Sequence, residues 1–262
     1  MNPIAINLGF IEIRWYAIFI LVGFLLGIYM IIREAERVNI DKNKIVDLCF
    51  SLILVSLIGA RIYYVIFEFD QYKYNLLDIF KIWNGGLAIH GGIIAGIIYI
   101  YYYIKKHNLD ILKITDIIVP SLILGQAIGR WGNFFNSEAY GSVTTFQTLK
   151  SLHIPKFIID GMYINVYGTY NYYHPTFFYE SLWCLIGFII LIIIRKNKKI
   201  KIGQITGTYL ILYGFERFFV ETLRQDSLMF LGLKVAQIVS LIMFIMGIIL
   251  IIYSSKKLKK YN

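Results

Sequence analysis

Three polar side chains interrupt a strongly apolar stretch of the chain. Arg130, Asn133 and Glu138 lie in the segment GRWGNFFNSEAYG, residues 129–141, and helical spacing places Arg130 and Glu138 on one face with Phe134. An arginine at the centre of a bilayer costs about 2.5–3.5 kcal/mol on translocon scales, so it usually faces a protein interior and binds or transfers something. The segment therefore predicts a polar site near the end of a membrane helix.

Glycines in the same helix give a structural alternative. Gly125, Gly129 and Gly132 allow a second helix backbone to approach closely. In that interpretation the segment serves helix packing, and the Arg130 side chain extends outward to the membrane surface.

A second polar stripe lies on another apolar segment. Tyr213, Arg217, Glu221 and Arg224 are spaced i, i+4, i+8 and i+11, which places them on one helix face. An ion pair between Arg217 and Glu221 would neutralise both residues without any further role, but Arg224 leaves positive charge uncompensated. Because a guanidinium group pairs bidentately with phosphate or carboxylate, Arg130 and Arg217 on separate helices indicate an anion-binding site.

A histidine between glycine pairs is the candidate general base. His90 lies in NGGLAIHGG, residues 84–92, at the start of an apolar segment and at the same predicted depth as the arginines. A histidine side chain titrates near neutral pH and can accept a proton during catalysis. A buried neutral histidine with one satisfied hydrogen bond is the structural alternative.

Other polar groups have less specific settings. In HPTFFYE, residues 174–180, Pro175 marks a helix start, His174 is expected to cap that helix, and Glu180 belongs to the same structural segment. Three further residues either complete the site or anchor to lipid headgroups: Arg14, Tyr16 and Arg61.

The motifs of several enzyme classes are missing from the chain. HExxH, GxSxG and GxxxxGK[ST] do not occur, and neither does CxxC or a comparable metal-ligand spacing. Zinc hydrolysis, acyl-serine catalysis and a Walker ATPase are therefore unsupported. We expect neither a metal ion nor another cofactor.

The segments that carry these residues are apolar enough to cross a membrane. The chain is 58% hydrophobic, with a mean hydropathy of +0.65, and about 20 apolar residues span a bilayer. We predict seven spans: residues 13–32, 45–67, 87–104, 117–135, 176–194, 205–223 and 235–253. The predicted fold is an all-α integral membrane protein with a single membrane-embedded domain over residues 1–262.

Basic residues set the predicted orientation of the seven spans. Of the 26 lysines and arginines, 16 fall in four segments: residues 33–44, 105–116, 195–204 and the tail 256–260. By the positive-inside rule these segments are cytoplasmic, which puts the N-terminus outside and the C-terminus in the cytoplasm. The external segments are then residues 68–86, 136–175 and 224–234. The polar site faces outward, and residues 136–175, rich in tyrosine, are expected to form an ordered external cap.

The same pattern argues against other interpretations of the composition. The net charge of +10 follows from topology, so we expect no nucleic-acid partner. The first apolar segment lacks a basic region before it and a cleavage site after it, which predicts a retained span and not a signal peptide. Cys49 and Cys184 both fall inside predicted spans, so an external disulfide is not expected.

Taken together, the motifs resemble the bacterial phosphatidylglycerol:prolipoprotein diacylglyceryl transferase family. The resemblance covers nearly the whole chain, with IRWYAIFILVGF, GARIYYVIFE, the HGG segment, GRWGNFFNSEAYG, HPTFFYE and YGFERFFVETLRQDSL in family order. The pattern GRxGNFxNxExYG is the most specific of these. Two positions depart from the family pattern, since Ser137 stands where many relatives have glycine and Lys234 where an arginine is common.

The resemblance implies an enzyme of the bacterial cytoplasmic membrane that begins lipoprotein maturation. Members transfer the diacylglyceryl group of phosphatidylglycerol to the lipobox cysteine thiol of a prolipoprotein, form a thioether and release glycerol phosphate. The expected partners are phosphatidylglycerol, the signal peptide of a prolipoprotein with its lipobox cysteine, and the membrane.

The resemblance also implies roles for residues at matching positions. Arg130 and Arg217 stabilise the departing phosphate, and His90 accepts the thiol proton. A hydroxyl such as that of Tyr16 or Tyr213 is an alternative relay to His90. The residues implied to bind substrate are Tyr16, Arg130, Asn133, Glu138, Arg217 and Glu221.

Two other protein classes also suit seven spans with buried charges. A transporter or channel would spread polar groups through both halves of the membrane, whereas the cytoplasmic half of these spans is almost purely apolar. A non-enzymatic lipid-binding protein would use the arginines to hold phospholipid and would not need His90. An outward-facing lipid site is therefore favoured over a transporter. An assay of diacylglyceryl transfer then distinguishes the enzyme from a non-enzymatic lipid-binding protein.

Overall fold

A computed structural model describes residues 2–9, 12–224, 229–230 and 232–261. The last four residues of the motif YGFERFFVETLRQDSL, residues 225–228, lie outside the described part, as does some of the predicted external segment 224–234.

Helices dominate the described part of the chain. The α-helices are α1 (Trp15–Arg37), α2 (Lys42–Phe67), α3 (Ile89–Lys106), α4 (Ile111–Asn136), α5 (Phe146–Ser151), α6 (Lys156–Gly161), α7 (Thr176–Arg195), α8 (Gln204–Leu223) and α9 (Val235–Lys257). The short strands are β1 (Ile4–Asn7), β2 (Glu12–Arg14), β3 (Val143–Thr144), β4 (Tyr163–Val166), β5 (Thr169–Tyr173), β6 (Met229–Phe230) and β7 (Leu233–Lys234). Strands β1 and β2 pair antiparallel, and so do β6 and β7.

A long helix lies over each of the seven predicted spans, and several helices continue beyond the apolar windows. Helix α4 begins at Ile111 because the Asp110 carboxylate accepts hydrogen bonds from the backbone N–H groups of Leu112 and Lys113, at 2.9 and 3.1 Å. Helices α1 and α9 run on into basic residues, ending at Arg37 and Lys257. Positive side chains stabilise the C-terminal end of a helix, so polar flanks extend these helices past the apolar core.

Five helices of the described residues are long and apolar enough to cross a membrane: α1, α2, α4, α7 and α9. Helix α8 is as long as α7 but carries Glu216, Arg217 and Glu221. Helix α3 contains several tyrosines and ends in two lysines. The protein is therefore a mostly helical membrane protein, while the crossings by α3 and α8 and the orientation stay predictions.

The chain forms two compact units. The first unit comprises Met1–Met30 and Thr115–Asn262, and the second comprises Ile31–Ile114. The single domain over residues 1–262 stays a prediction.

Glycines bring α1 and α4 into contact in the first unit, which confirms the packing role predicted for the glycines of α4. A Cβ atom at Gly23 of α1 would lie 3.4 Å from the Gly125 Cα atom. A Cβ atom at Gly129 would lie 3.5 Å from the Ile20 Cδ1 atom. The two helices therefore approach along a stripe of small residues.

Helices α8 and α9 approach even more closely. A Cβ atom at Gly214 would lie 2.6 Å from the Ser240 carbonyl oxygen, and one at Gly247 would lie 2.6 Å from the Gly207 carbonyl oxygen. Since real Cβ atoms do not approach an oxygen so closely, only glycine fits at these positions without moving the helices apart.

The chain between α4 and α7 folds into a small segment of its own. Strands β3, β5 and β4 form an antiparallel sheet in that order. Its buried core packs around Phe134 of α4 and Phe177 of α7, and consists of Leu149, Ile154, Ile158, Ile159, Met162 and Tyr173. The segment is thus fixed to the ends of two helices, and its external position stays a prediction.

In the second unit, α2 and α3 pack through small residues. A Cβ atom at Gly59 would lie 2.8 Å from the Gly91 carbonyl oxygen, and one at Gly92 would lie 3.2 Å from the Ser56 carbonyl oxygen. Between these helices the chain passes through three short 3₁₀ turns: Phe69–Gln71, Leu76–Phe80 and Ile82–Asn84.

Candidate active site

A glutamate for which the sequence predicted only a structural role joins the two predicted arginines. The Glu180 carboxylate of α7 pairs with the Arg130 Nε atom of α4, and it accepts a hydrogen bond from the Arg217 Nη1 atom of α8 at 2.9 Å. The Arg217 Nη2 atom also pairs with the Glu221 carboxylate at 2.6 Å. Three helices therefore meet at one buried carboxylate, and the predicted pair of arginines on separate helices is real.

Hydrogen bonds beside the bridge fix the same three helices. The Ser181 hydroxyl of α7 donates to the Ala127 carbonyl of α4 at 2.8 Å and accepts from the Trp131 Nε1 atom at 3.1 Å. The Trp183 Nε1 atom of α7 donates to the Leu212 carbonyl of α8 at 2.9 Å. The helices α4 and α8 that carry the arginines are thus each hydrogen-bonded to α7.

The arginines keep part of their surface and donor capacity free. The side chains of Arg130 and Arg217 are 21% and 17% exposed, whereas the carboxylates of Glu180 and Glu221 are 2% exposed. Within the described residues, the Arg130 Nη1 and Nη2 groups donate no hydrogen bond. Because the carboxylates hold both guanidinium groups in place, a bound anion would meet preorganised donors.

The polar stripe predicted on α8 lines one cavity. The cavity has a volume of about 380 Å³, and its polar lining is Tyr213, Arg217, Glu221 and Arg224. Residues of α9 from Val235 to Met243 close the opposite side. The shared helix face expected from the spacing is therefore confirmed for Tyr213, Arg217 and Glu221. Helix α8 ends at Leu223, and Arg224 reaches the cavity from the extended chain beyond it.

Lys234, one of the two departures from the family pattern, closes the end of α8. Its Nζ atom donates to the carbonyl oxygens of Glu221 and Arg224 at 2.6 and 2.9 Å. These carbonyls belong to the end of the helix, where a positive charge is favourable.

The helical face predicted for Glu138 is wrong. Helix α4 ends at Asn136, and Ser137 and Ala139 have φ values of 52° and 54°, so the chain turns sharply there. Ser137 thus takes a left-handed conformation that glycine adopts more easily. The turn brings the Glu138 carboxylate back to Asn133, whose Nδ2 atom donates to it at 3.0 Å. Asn133 and Glu138 are therefore neighbours because of a turn after the helix, and not because they share a helix face.

Tyr16 lies against the end of α4. A Cβ atom at Gly132 would lie 3.2 Å from the Tyr16 Cα atom and 3.2 Å from its Cγ atom. The tyrosine ring therefore packs directly on the helix backbone, two residues after Arg130 in the chain, and its side chain is exposed.

The predicted base belongs to the second unit. His90 is the second residue of α3, its side chain is exposed, and its ring centre lies 6.2 Å from that of Tyr63. The structural alternative of a buried histidine does not apply. Its action on a substrate held by the arginines stays a prediction.

Two further arginines have settings of different kinds. Arg61 is buried and donates hydrogen bonds to four backbone carbonyls, so its guanidinium group serves the protein itself. Arg14 ends β2 and is exposed. Arg61 therefore keeps fewer of its N–H donors unengaged than Arg130 does.

His174 does not cap α7. The residue at the cap position is Pro175, and the His174 Nδ1 atom lies 3.2 Å from the Tyr179 hydroxyl. Its backbone pairs with the chain after α4, since Gly141 donates to the His174 carbonyl at 2.8 Å. Burial lowers the pKa of the His174 side chain below its usual value. The start of the segment HPTFFYE is therefore structural, as expected, but His174 acts through strand-like backbone pairing and not as a helix cap.

Two buried glutamates were missed as site residues. Glu180 carried a signal, because an ionisable residue inside an apolar helix usually has a partner. Glu216 of α8 is 4% exposed, and neither of its carboxylate oxygens has a hydrogen-bond partner among the described residues. No spacing in the sequence identifies which helices these carboxylates face.

A metal centre finds no support in the side chains that the structure describes. Among them, no three His, Cys, Asp or Glu residues lie close enough together to hold a metal ion.

Comparison with known proteins gives a match over nearly the whole chain. The model of the prolipoprotein diacylglyceryl transferase family matches residues 3–253. The phosphatidylglycerol–prolipoprotein diacylglyceryl transferase of Ligilactobacillus salivarius is 46% identical over 263 residues, which cover 100% of this chain and 94% of the relative. The enzyme of the same name from Streptococcus suis is 47% identical over 98% of this chain and 94% of its own length. That from Listeria innocua is 46% identical over 98% and 91%.

Proposed function

Since the chain belongs to the prolipoprotein diacylglyceryl transferase family, we propose that its bridged arginines bind the phosphate of phosphatidylglycerol during diacylglyceryl transfer. The protein is a bacterial membrane transferase that acts in the first step of lipoprotein maturation. It transfers the diacylglyceryl group of phosphatidylglycerol to a prolipoprotein. We take the acceptor to be the thiol of the lipobox cysteine.

The proposed reaction exchanges one bond for another at a glycerol carbon. The cysteine sulfur attacks the carbon that carries the phosphate ester, and a C–S bond forms as the C–O bond breaks. The electron pair of that C–O bond leaves with glycerol phosphate, and the thiol proton passes to a base. Negative charge therefore develops on the phosphate oxygen as the bond breaks.

The observation that carries the proposal is the shared carboxylate of Glu180, which holds Arg130 and Arg217 together. Fixed donors stabilise developing charge without reorganisation, and each such donor is typically worth about 10²–10³ in kcat. The free Nη groups of Arg130 suit two phosphate oxygens. Glu180 in turn keeps both guanidinium groups in place before the lipid arrives.

His90 is proposed as the base. A free thiol has a pKa of about 8.5, so most of the nucleophile is protonated at neutral pH and its reaction is faster with a proton acceptor. The exposed side chain of His90 is accessible to an external substrate. A relay through the hydroxyl of Tyr16 or Tyr213 is the alternative route to the same base.

The remaining residues are proposed to orient the lipid headgroup. The hydrogen bond between Asn133 and Glu138 fixes both side chains at the end of α4. Glu221 holds the second nitrogen of Arg217, and Tyr16 packs beside them on Gly132. These groups carry polar atoms that suit the glycerol hydroxyls of phosphatidylglycerol.

We also propose that all seven long helices cross the membrane and that the site faces outward. Two facts support this topology: basic residues cluster in alternate connections, and the ionisable residues of α8 are buried against α7 and not turned to lipid. The segment of residues 136–175 is then external. A cysteine at Tyr167 tests this in a background in which Cys49 and Cys184 are replaced by serine.

An impermeant maleimide should label the cysteine at Tyr167 in intact cells. A cysteine at Lys198, in a predicted cytoplasmic connection, should react only after the cells are permeabilised. Labelling of Lys198→Cys in intact cells would overturn the proposed orientation.

The central test is transfer of labelled diacylglycerol from phosphatidylglycerol to a lipobox peptide by the purified protein. We expect Arg130→Ala and Arg217→Ala to lose at least about 10²-fold in kcat/KM. Arg130→Lys and Arg217→Lys keep the charge and serve as matched controls for folding. His90→Gln should bind phosphatidylglycerol normally but turn over slowly.

The outcomes separate the competing protein classes. Lipid binding without thioether formation by wild-type protein would support a non-enzymatic lipid-binding protein. Movement of a solute across vesicles, without thioether formation, would support a transporter. Full activity of both arginine-to-alanine variants would overturn the proposed phosphate site while leaving the family reaction in place.

A further inference from the structure

Arg61 is a buried cation bound by four backbone carbonyls, and its guanidinium carbon lies 5.1 Å from the centre of the Tyr72 ring. Its Nε atom donates to the Ile79 carbonyl and its Nη2 atom to the Asp78 carbonyl, both at 2.7 Å. Its Nη1 atom donates to the carbonyls of Gly85 and Gly86 at 2.7 and 2.8 Å. The side chain is 7% exposed, and it has no carboxylate partner among the described residues. Four of the five N–H donors of this buried arginine are thus engaged by the protein itself, so the fork needed for bidentate binding of a phosphate is already occupied.

The segment that Arg61 holds is otherwise anchored by Tyr72, which is 7% exposed and packs against the guanidinium group. The 3₁₀ turns at Phe69–Gln71 and Leu76–Phe80 contain no buried residue. Gly86 has a φ of 76°, and a Cβ atom there would lie 2.5 Å from the Arg61 Nη1 atom. Gly86 therefore takes a backbone conformation that favours glycine, and its backbone lies directly against the guanidinium group.

The two residues before Arg61 hold the start of α3. The Ala60 carbonyl accepts a hydrogen bond from the Ala88 N–H group at 3.0 Å. Gly59 contacts Gly91, where a Cβ atom at Gly59 would lie 2.8 Å from the Gly91 carbonyl oxygen. His90 lies between these two contacts. Its place in the first turn of α3 is therefore fixed by three consecutive residues of α2.

We propose that Arg61 is a positioning residue, which fixes residues 78–88 and through them holds His90 in its reactive place. This proposal rests on the proposed function, in which His90 is the base. It explains why a charged residue is buried in α2 without an ionic partner, and it separates Arg61 from Arg130 and Arg217, which bind the anion. A shift of about 1 Å in a catalytic group can cost about 10²-fold in rate.

Arg61→Lys is the first test, because lysine keeps the charge but lacks the planar fork that reaches four carbonyls. We expect kcat to fall about 10- to 100-fold while KM for phosphatidylglycerol changes little, since the arginines of α4 and α8 are untouched. Lys81→Ala is the matched control. It removes an exposed ion pair with Asp78 in the same segment and leaves the bonds of Arg61 in place, so its kinetics should match wild type.

A double-mutant comparison isolates the pathway through His90. If Arg61 acts through His90, Arg61→Lys should cause no further loss in the residual activity of a His90→Gln protein. Equal factors of loss in both backgrounds would overturn the proposal. Full activity of His90→Gln alone would overturn the role of His90 and the proposal with it, whereas additive losses would overturn only the role of Arg61.

A chemical readout completes the test where residual activity is too low. The chain has four histidines, and replacing His107, His153 and His174 with glutamine leaves His90 as the only histidine that diethylpyrocarbonate can modify, which is followed by the absorbance of the modified imidazole. Arg61→Lys should change the rate of His90 modification several-fold in folded protein that still binds phosphatidylglycerol. An unchanged rate would overturn the proposal. If Arg61→Lys does not fold, Gly86→Ala disturbs the same contact and takes its place.

Discussion

The ring of Tyr16 lies on the backbone of Gly132, so that a Cβ atom at residue 132 would come within 3.2 Å of the Tyr16 Cα atom. Helix α1 therefore contacts α4 at a residue that lies between Arg130 and Asn133 in the chain. A substitution that disturbs this contact therefore tests whether the site tolerates a displacement of α1.

Gly132→Ala should lower both stability and transfer activity. The added methyl group overpacks the contact, which typically costs about 1–3 kcal/mol, although alanine favours the helix by about 1 kcal/mol. Gly129→Ala is the matched control, because its Cβ atom would lie 3.5 Å from the Ile20 Cδ1 atom, an ordinary distance. Thermal unfolding in detergent measures the stability of each variant, and the transfer assay measures its activity. Equal behaviour of the two variants would show that the Tyr16 contact has no special role.

Glu180→Gln should destabilise the protein strongly. It removes the negative charge shared by Arg130 and Arg217, and breaking a buried ion pair from one side costs about 3–5 kcal/mol. Glu138→Gln, which changes an exposed carboxylate, should shift stability by no more than about 0.5 kcal/mol. The melting temperatures of the two variants give the comparison. A Glu180→Gln protein as stable as wild type would mean that the arginines do not depend on this carboxylate.

Glu216→Met should raise the melting temperature. The buried carboxyl group lacks a hydrogen-bond partner among the described residues, and such a group typically costs about 1–3 kcal/mol. Methionine has a similar volume without the polar oxygens. Glu221→Met serves as the contrast, because Glu221 is paired with Arg217 and its loss should destabilise. Destabilisation by Glu216→Met would indicate an interaction that the side chain makes with a bound partner.

Stability should fall as the pH drops through the range in which histidine titrates. Burial lowers the pKa of His174 in the folded protein below its usual 6.5. The neutral form is therefore favoured on folding, and its contribution is complete above pH 6.5 and is lost as the pH falls to the folded pKa. Melting temperatures between pH 5 and pH 8 measure the slope.

His174→Gln should flatten that pH dependence. His153→Gln, a change at an exposed residue of the same segment, is the control and should leave the slope as it is in wild type. A slope that survives His174→Gln would assign the titration to another group.

The placement of the helices follows from the sequence because the bilayer fixes their length and apolar character. The spacing of Arg217 and Glu221 likewise predicted their contact, which is local to one helix. The bridge from Glu180 to Arg130 was not predictable in this way, because it depends on how three helices pack. The turn at Ser137 was missed for another reason, since a serine in a left-handed conformation gives no signal of its own.

The glycine contacts between α8 and α9 limit how a lipid with two acyl chains can sit in the cavity. At Gly214 and at Gly247 the two backbones touch, which leaves no width for a hydrocarbon tail. Beyond the contact of Gly214 with Ser240, toward the C-terminal end of α8, a cavity separates the two helices, and its lining includes Arg217, Glu221, Arg224, Val235 and Val239. The two helices are thus in contact along the glycines and separated at the end where the cavity lies. Under the proposed function, the acyl chains of a lipid bound in this cavity would therefore pass sideways into the bilayer, because the glycine contacts leave them no path between α8 and α9.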